Sequence, residues 1–228
     1  MVACWPASLP TVAYSAAVAA SVIFDCDGVL VDSEQAANAV LAGVITDLGL
    51  PTTPEQARAD YMGRSWASCM EILAGQLGHP PPDDLRDRYR VGVEESWRRD
   101  LQPVPGIVAA LDAIELPNCV ASSGEHERMR LTLGLTGLLP RFEGRIFSAT
   151  EVEHGKPAPD LFIHAATQMG FDPADTVVVE DTVPGVQAGR AAGMRVLAFA
   201  RLVSAEDLSA AGGEVFDDMR ALPDLLAS

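Results

Sequence analysis

Positive charge is scarce in this 228-residue chain, and lysine is nearly absent: 16 basic residues stand against 32 acidic ones, and every basic residue except Lys156 is arginine. The formal net charge of −16 disfavours nucleic acid and anionic membrane as partners by bulk electrostatics. A phosphorylated ligand would therefore need a locally cationic site. The four cysteines, Cys4, Cys26, Cys69 and Cys119, have neither metal-ligand nor disulfide spacing, and they read as reduced thiols of a cytoplasmic protein. His79, His126, His154 and His164 lack ligand spacing to one another. Residues 1–20 carry no charge at all. A secretory leader would show a basic region before its apolar core, so residues 1–17 read as an N-terminal extension rather than a targeting segment. Beyond it no run approaches the roughly 20 apolar residues of a membrane span, and neither an internal repeat nor a low-complexity linker is visible.

What is present is concentrated in four short segments. The apolar run Ala20-Ser21-Val22-Ile23-Phe24 leads directly into Asp25-Cys26-Asp27-Gly28-Val29-Leu30-Val31-Asp32-Ser33-Glu34. A strand that ends in carboxylates at i and i+2 delivers both to the carboxyl edge of a sheet, where open α/β folds keep their binding crevice. Two ionised carboxylates in a water-poor crevice need a cation or a shared proton. Mg²⁺ suits such a site, since it prefers carboxylates and water and bridges substrate phosphates. Asp25 can then act as a nucleophile toward phosphorus, with Asp27 exchanging protons with the leaving group and with water.

Three later segments repeat the pattern of an apolar strand running into polar residues. Asn118-Cys119-Val120-Ala121 is followed by Ser122-Ser123-Gly124, where a hydroxyl and successive backbone N–H groups can hold a phosphoryl group. Gly155-Lys156-Pro157-Ala158-Pro159-Asp160 contains the lone lysine, a point charge suited to a carboxylate and a phosphate together. Thr176-Val177-Val178-Val179 reads as a buried parallel strand and ends in Glu180-Asp181. Pro184 also fits the first turn of a following helix.

These four segments, in this order, resemble the motifs of the haloacid dehalogenase superfamily in its phosphatase and β-phosphoglucomutase-like branch, over roughly residues 18 to 228. The resemblance implies an α/β fold, a Rossmann-like core with a parallel sheet plus an inserted helical cap domain. Residues 18–34 and 101–228 would form the core and residues 35–100 the cap. Helical periodicity agrees: Val40, Leu41, Val44, Ile45 and Leu48 end at Gly49, Met70, Leu73 and Leu77 end at Gly78, and a charged pattern runs from Asp84 to Arg99. Further strands are expected near Ile146-Phe147, Arg195 to Phe199 and Val215-Phe216.

The resemblance also implies roles. Asp25, Asp27, Ser122 and Lys156 would be catalytic; Asp25, Asp27, Glu180 and Asp181 would hold Mg²⁺; Ser33, Ser123, Gly124 and Arg64 would contact substrate. The expected activity is Mg²⁺-dependent hydrolysis of a small phosphorylated metabolite, a sugar, polyol or sugar-acid phosphate, through an aspartyl-phosphate, by a monomer or weak dimer. Two alternatives stand beside it, a β-phosphoglucomutase-like phosphomutase and a catalytically silent phospho-ligand-binding protein. Mutases of the family usually carry a histidine about ten residues beyond the acid/base aspartate, near Ala37 here, and an arginine after the serine where here Arg64 precedes Ser65. Both departures favour hydrolysis.

Overall fold

A computed structural model describes residues 19–61 and 66–228. The expected N-terminal extension and Arg64 lie outside the described residues. The chain runs through β1 (Ser21–Phe24), α1 (Ser33–Asp47), α2 (Pro54–Tyr61), α3 (Trp66–Leu77), α4 (Leu85–Asp100) and α5 (Ile107–Ala113). It continues through β2 (Asn118–Ser122), α6 (His126–Leu135), α7 (Leu139–Phe142), β3 (Ile146–Ser148), α8 (Asp160–Met169) and β4 (Thr176–Glu180). It ends with α9 (Val183–Ala191), β5 (Arg195–Phe199), α10 (Ala205–Ala210), β6 (Glu214–Phe216) and α11 (Leu222–Leu226).

The six strands form one parallel sheet in the order β3-β2-β1-β4-β5-β6. A parallel sheet buries both faces, so its strands are apolar on both sides. Side chains alternate accordingly: Val22, Phe24, Val120, Val179 and Leu197 pack on one face with Ile107, Met129 and Leu133. Ile23, Cys119, Val178 and Val196 pack on the other with Leu161, Phe162 and Val186. Gly189 lets α9 approach closely, because a Cβ there would meet Val196 and Val178.

The chain moves outward from β1 to β3 and then returns to add β4 on the other side of β1. That reversal is the topological switch point at which open α/β sheets bind ligands. Phe24 pairs with Val179, so Asp25 and Glu180 emerge side by side at the carboxyl edge.

Helices α1 to α4 have apolar contacts of their own. Leu41, Ile45, Leu73 and Leu85 form one cluster, and Ala37, Val93, Trp97 and Leu101 form another. The two chain segments that connect these helices to the sheet run next to each other. The Asp32 amide donates to the Gln102 carbonyl at 2.9 Å, the Val104 amide donates to the Leu30 carbonyl at 3.0 Å, and Val31 bridges Pro103. Among the described residues no helix is long and apolar enough to cross a membrane.

Candidate active site

Lys156 is the centre of the charge arrangement. It follows β3 in the chain and reaches back across the sheet edge, and its side chain is only 6% exposed. Nζ donates to Asp25 Oδ1 at 2.5 Å, Glu180 Oε1 at 2.8 Å and the Ala121 carbonyl at 3.3 Å. All three ammonium protons are thereby used, and Nζ lies 4.8 Å from the Phe162 ring centroid. The two carboxylates push the Lys156 pKa up against the opposing effect of burial, so the ammonium stays charged. Asp25 is pushed up to about 7, burial outweighing the attraction of Lys156. Lys156 takes Oδ1, and Oδ2 has no hydrogen-bond partner among the described residues.

Glu180 has no oxygen to spare. Besides taking Lys156 on Oε1, its Oε2 accepts the Asp181 and Thr182 amides, both at 2.7 Å, and the Thr182 hydroxyl at 2.9 Å. The same hydroxyl accepts the Gly185 amide at 3.2 Å as the N-cap of α9. The glutamate thus ties the strand-to-helix turn to the lysine.

Asp181 differs. It is buried, and its Oδ1 has no hydrogen-bond partner. Burial pushes its pKa well up, and the neighbouring Glu180 and Asp25 charges add to the shift. Its carboxylate presses on Gly28, where any Cβ would collide with Oδ2. Gly28 also has φ +79°, a conformation that glycine adopts without strain.

Asp27 faces another way. Oδ1 accepts the Ser33 hydroxyl at 2.6 Å and Oδ2 accepts Arg128 Nη2 at 2.9 Å. Gly124 is close by: a Cβ on it would lie 3.8 Å from both Asp27 Oδ2 and Ser122 Oγ. Ser122 itself is buried, and its hydroxyl accepts the Gly124 amide at 3.3 Å.

The structure therefore brings Asp25, Asp27, Ser122, Gly124, Lys156, Glu180 and Asp181 to one edge of the sheet. Ser123 and Gly124 face an adjoining cavity of about 760 Å³. Ser33, expected at the substrate, is fully buried as the first residue of α1 and donates to Asp27. Of the four acids expected around a metal, the Asp27 side chain is held by Ser33 and Arg128, and that of Glu180 by Lys156 and its own turn. Arg128 was not foreseen at all. It lies 101 positions from Asp27, and no local spacing in the sequence announces that contact.

A divalent cation fits what remains. The orphaned Asp181 Oδ1 and the Asp25 Oδ1, which has a lone pair beyond the one Lys156 uses, are hard anionic oxygens, the donors that Mg²⁺ prefers. No three His, Cys, Asp or Glu side chains among the described residues form a ready-made cage, so water or phosphate would complete the shell. Asp181→Asn is expected to raise the thermal midpoint of the chelator-treated protein at pH 8, because asparagine spares the buried site a charge that burial and the neighbouring carboxylates resist. It should also remove stabilisation by added Mg²⁺. The folded-state pKa of Asp181 lies above the unfolded value, so the aspartate is stabilising when protonated and loses that contribution as pH rises. The advantage of asparagine should therefore shrink on acidification. A lower midpoint in the variant at pH 8 would refute this account.

A parallel α/β sheet whose switch point carries a buried lysine between carboxylates, beside a cavity roofed by helices, defines an enzyme that handles an anionic group at a strand edge. The chain belongs to the haloacid dehalogenase-like hydrolases, whose family model matches residues 20–193. It is 31% identical over 180 residues to a 6-phosphogluconate phosphatase of Escherichia coli, covering 78% of this chain and 81% of that one. Two solved structures resemble it closely. A haloacid dehalogenase-like protein of unknown function from Agrobacterium tumefaciens gives a TM-score of 0.84 at 35% identity, covering 91% of this chain and 97% of that one. A family hydrolase from Deinococcus radiodurans, solved with bound phosphate and sodium, gives 0.83 at 30% identity, covering 92% and 96%.

Proposed function

We propose that the protein is a Mg²⁺-dependent phosphatase that hydrolyses a small phosphate monoester, a sugar, polyol or sugar-acid phosphate, through an aspartyl-phosphate. The observation that carries this reading is the held Asp25: Lys156 fixes Oδ1 and leaves Oδ2 for the phosphorus. In the first step Oδ2 forms a bond to phosphorus as the bond to the ester oxygen breaks, and Asp27 gives that oxygen its proton. In the second, water attacks the aspartyl-phosphate while Asp27 takes a proton from it, restoring Asp25 and releasing phosphate. Lys156, the Ser122 hydroxyl and the backbone N–H groups of Ser123 and Gly124 would hold the charged oxygens in place, the main task in phosphoryl transfer. When bound at Asp25 and Asp181, Mg²⁺ would neutralise charge on the transferring group. Glu180 orients Lys156, and Ser33 orients Asp27.

Helices α1 to α4, with residues 35–100 as their extent, would act as the cap that excludes water from the crevice. The adjacent connecting segments at residues 31–32 and 102–104 would be its hinge. A phosphomutase is less well supported: Ala37, near the position at which mutases of the family carry a histidine, lines the cavity. A cytoplasmic location agrees with Cys26, Cys69 and Cys119, which are buried and not in disulfides.

Phosphate release from a panel of sugar, polyol and sugar-acid phosphates, with Mg²⁺ and then with chelator, tests the reading. Release from at least one ester that stops on chelation is the expected result. Hexose phosphates interconverted without release would point to the mutase, and release that persists under chelation would contradict the metal dependence.

A further inference from the structure

The cavity above Ser123 and Gly124 has an unusual composition. The chain is only 6% aromatic, yet both tryptophans and both tyrosines among the described residues, Tyr61, Trp66, Tyr89 and Trp97, line this one space. Trp66 and Tyr89 stack at 5.5 Å, and Trp97 lies under Arg128, whose guanidinium carbon is 5.0 Å from the ring centroid. Arg128 also lines the cavity and is about half exposed to it. Two of the other cavity arginines pair with acids of their own helix, Arg98 with Glu94 at 2.6 Å and Arg90 with Asp87 at 3.8 Å. Arg128 instead bonds Asp27, at the sheet edge.

That position matters for the leaving group. If Asp27 protonates the ester oxygen, that oxygen comes within hydrogen-bond reach of the carboxylate. Arg128 Nη2 is one hydrogen bond from Oδ2 of the same carboxylate. The remaining guanidinium donors then stand beside the first carbons of the leaving group, held in plane by Trp97.

We propose that Arg128, resting on Trp97, is the specificity-determining residue for the leaving group, and that it selects phosphate esters in which the carbon next to the ester carbon carries an oxygen. This rests on the phosphatase reading above and adds a substrate class to it. A vicinal hydroxyl or carboxylate oxygen falls in front of the fork and accepts from it, whereas a vicinal methylene displaces water from the fork and offers it no acceptor. A site built to hydrogen-bond an oxygen rejects the analogue that lacks it. The aromatic walls then take the C–H faces of the carbon skeleton.

Matched ester pairs differing only in that oxygen test the proposal: glucose 1-phosphate against 2-deoxyglucose 1-phosphate, and glycerol 3-phosphate against propane-1,3-diol monophosphate. The quantity read is the ratio of kcat/KM within each pair, so any loss common to both members cancels. The wild type should prefer the oxygenated member at least about tenfold, the equivalent of one charge-assisted hydrogen bond. Arg128→Met should bring the ratio close to one, and Arg128→Lys, which keeps the charge without the fork, should lower it several-fold. A wild-type ratio near one, or a ratio that survives in the methionine variant, overturns the proposal. If Arg128→Met does not fold, an unchanged ratio in Arg128→Lys overturns it equally. Equal release from both members leaves the phosphatase reading intact and removes only the assignment of Arg128, whereas no release from any ester removes both.

Discussion

Asp25→Asn should release no measurable phosphate from any ester that the wild type hydrolyses, a loss of at least about 10⁴-fold, on the scale expected when a covalent nucleophile is removed. An amide cannot form the acyl phosphate, and neither Glu180, committed to Lys156 and its own turn, nor Asp27, committed to Ser33 and Arg128, is held as Asp25 is. The variant should nonetheless fold. The Asp25 carboxyl is pushed from 3.8 up to about 7 by burial, so its contribution to stability is complete below pH 3.8 and is lost as pH rises to about 7. At pH 8 the metal-free wild type therefore carries an ionised group that its surroundings resist, and asparagine removes it. Comparing thermal midpoints at pH 8 and pH 4 in chelator checks the sign. The variant should compare better with the wild type at pH 8 than at pH 4. Substantial turnover by Asp25→Asn would defeat the covalent mechanism.

Lys156→Met is expected to lose both activity and stability. The ammonium is buried and neutralises two buried carboxylates at once. Removing one partner of such a cluster typically costs about 3–5 kcal/mol, because the other charges stay buried and uncompensated. Urea unfolding at pH 8 should show that deficit. It should shrink toward pH 5, where Asp25, pushed up to about 7 by burial, takes up a proton. Phosphate release should be lost as well, since Oδ1 of Asp25 is no longer held. A variant that unfolds like the wild type at pH 8 would show that the lysine is not the counter-charge of the site.

Much of the architecture is legible in one dimension because its causes are local. Apolar runs such as Val22-Ile23-Phe24 and Val177-Val178-Val179 can satisfy both faces of a parallel strand and little else. The apolar positions of α1 recur at helical spacing up to Gly49, which has φ +92°. Helix α2, with its polar sequence and only Ala57 and Tyr61 buried, offers no such periodicity and was not foreseen. The motif carboxylates and Lys156 could be assigned to one edge because each follows a strand directly or precedes a helix in the family order.

The sequence by itself determined which residue types reach the carboxyl edge of the sheet, since strand ends and the i, i+2 spacing of Asp25 and Asp27 are properties of neighbouring residues. Only the tertiary structure decided how they pair. Lys156 lies 131 positions from Asp25 and Arg128 lies 101 from Asp27, and contacts across such separations arise from strand order and helix packing. The same holds for Ser33, whose burial beneath Asp27 follows from where α1 meets the sheet. A carboxylate's role depends on which donors and charges surround it in space, and the strand order β3-β2-β1-β4 is what gathers them.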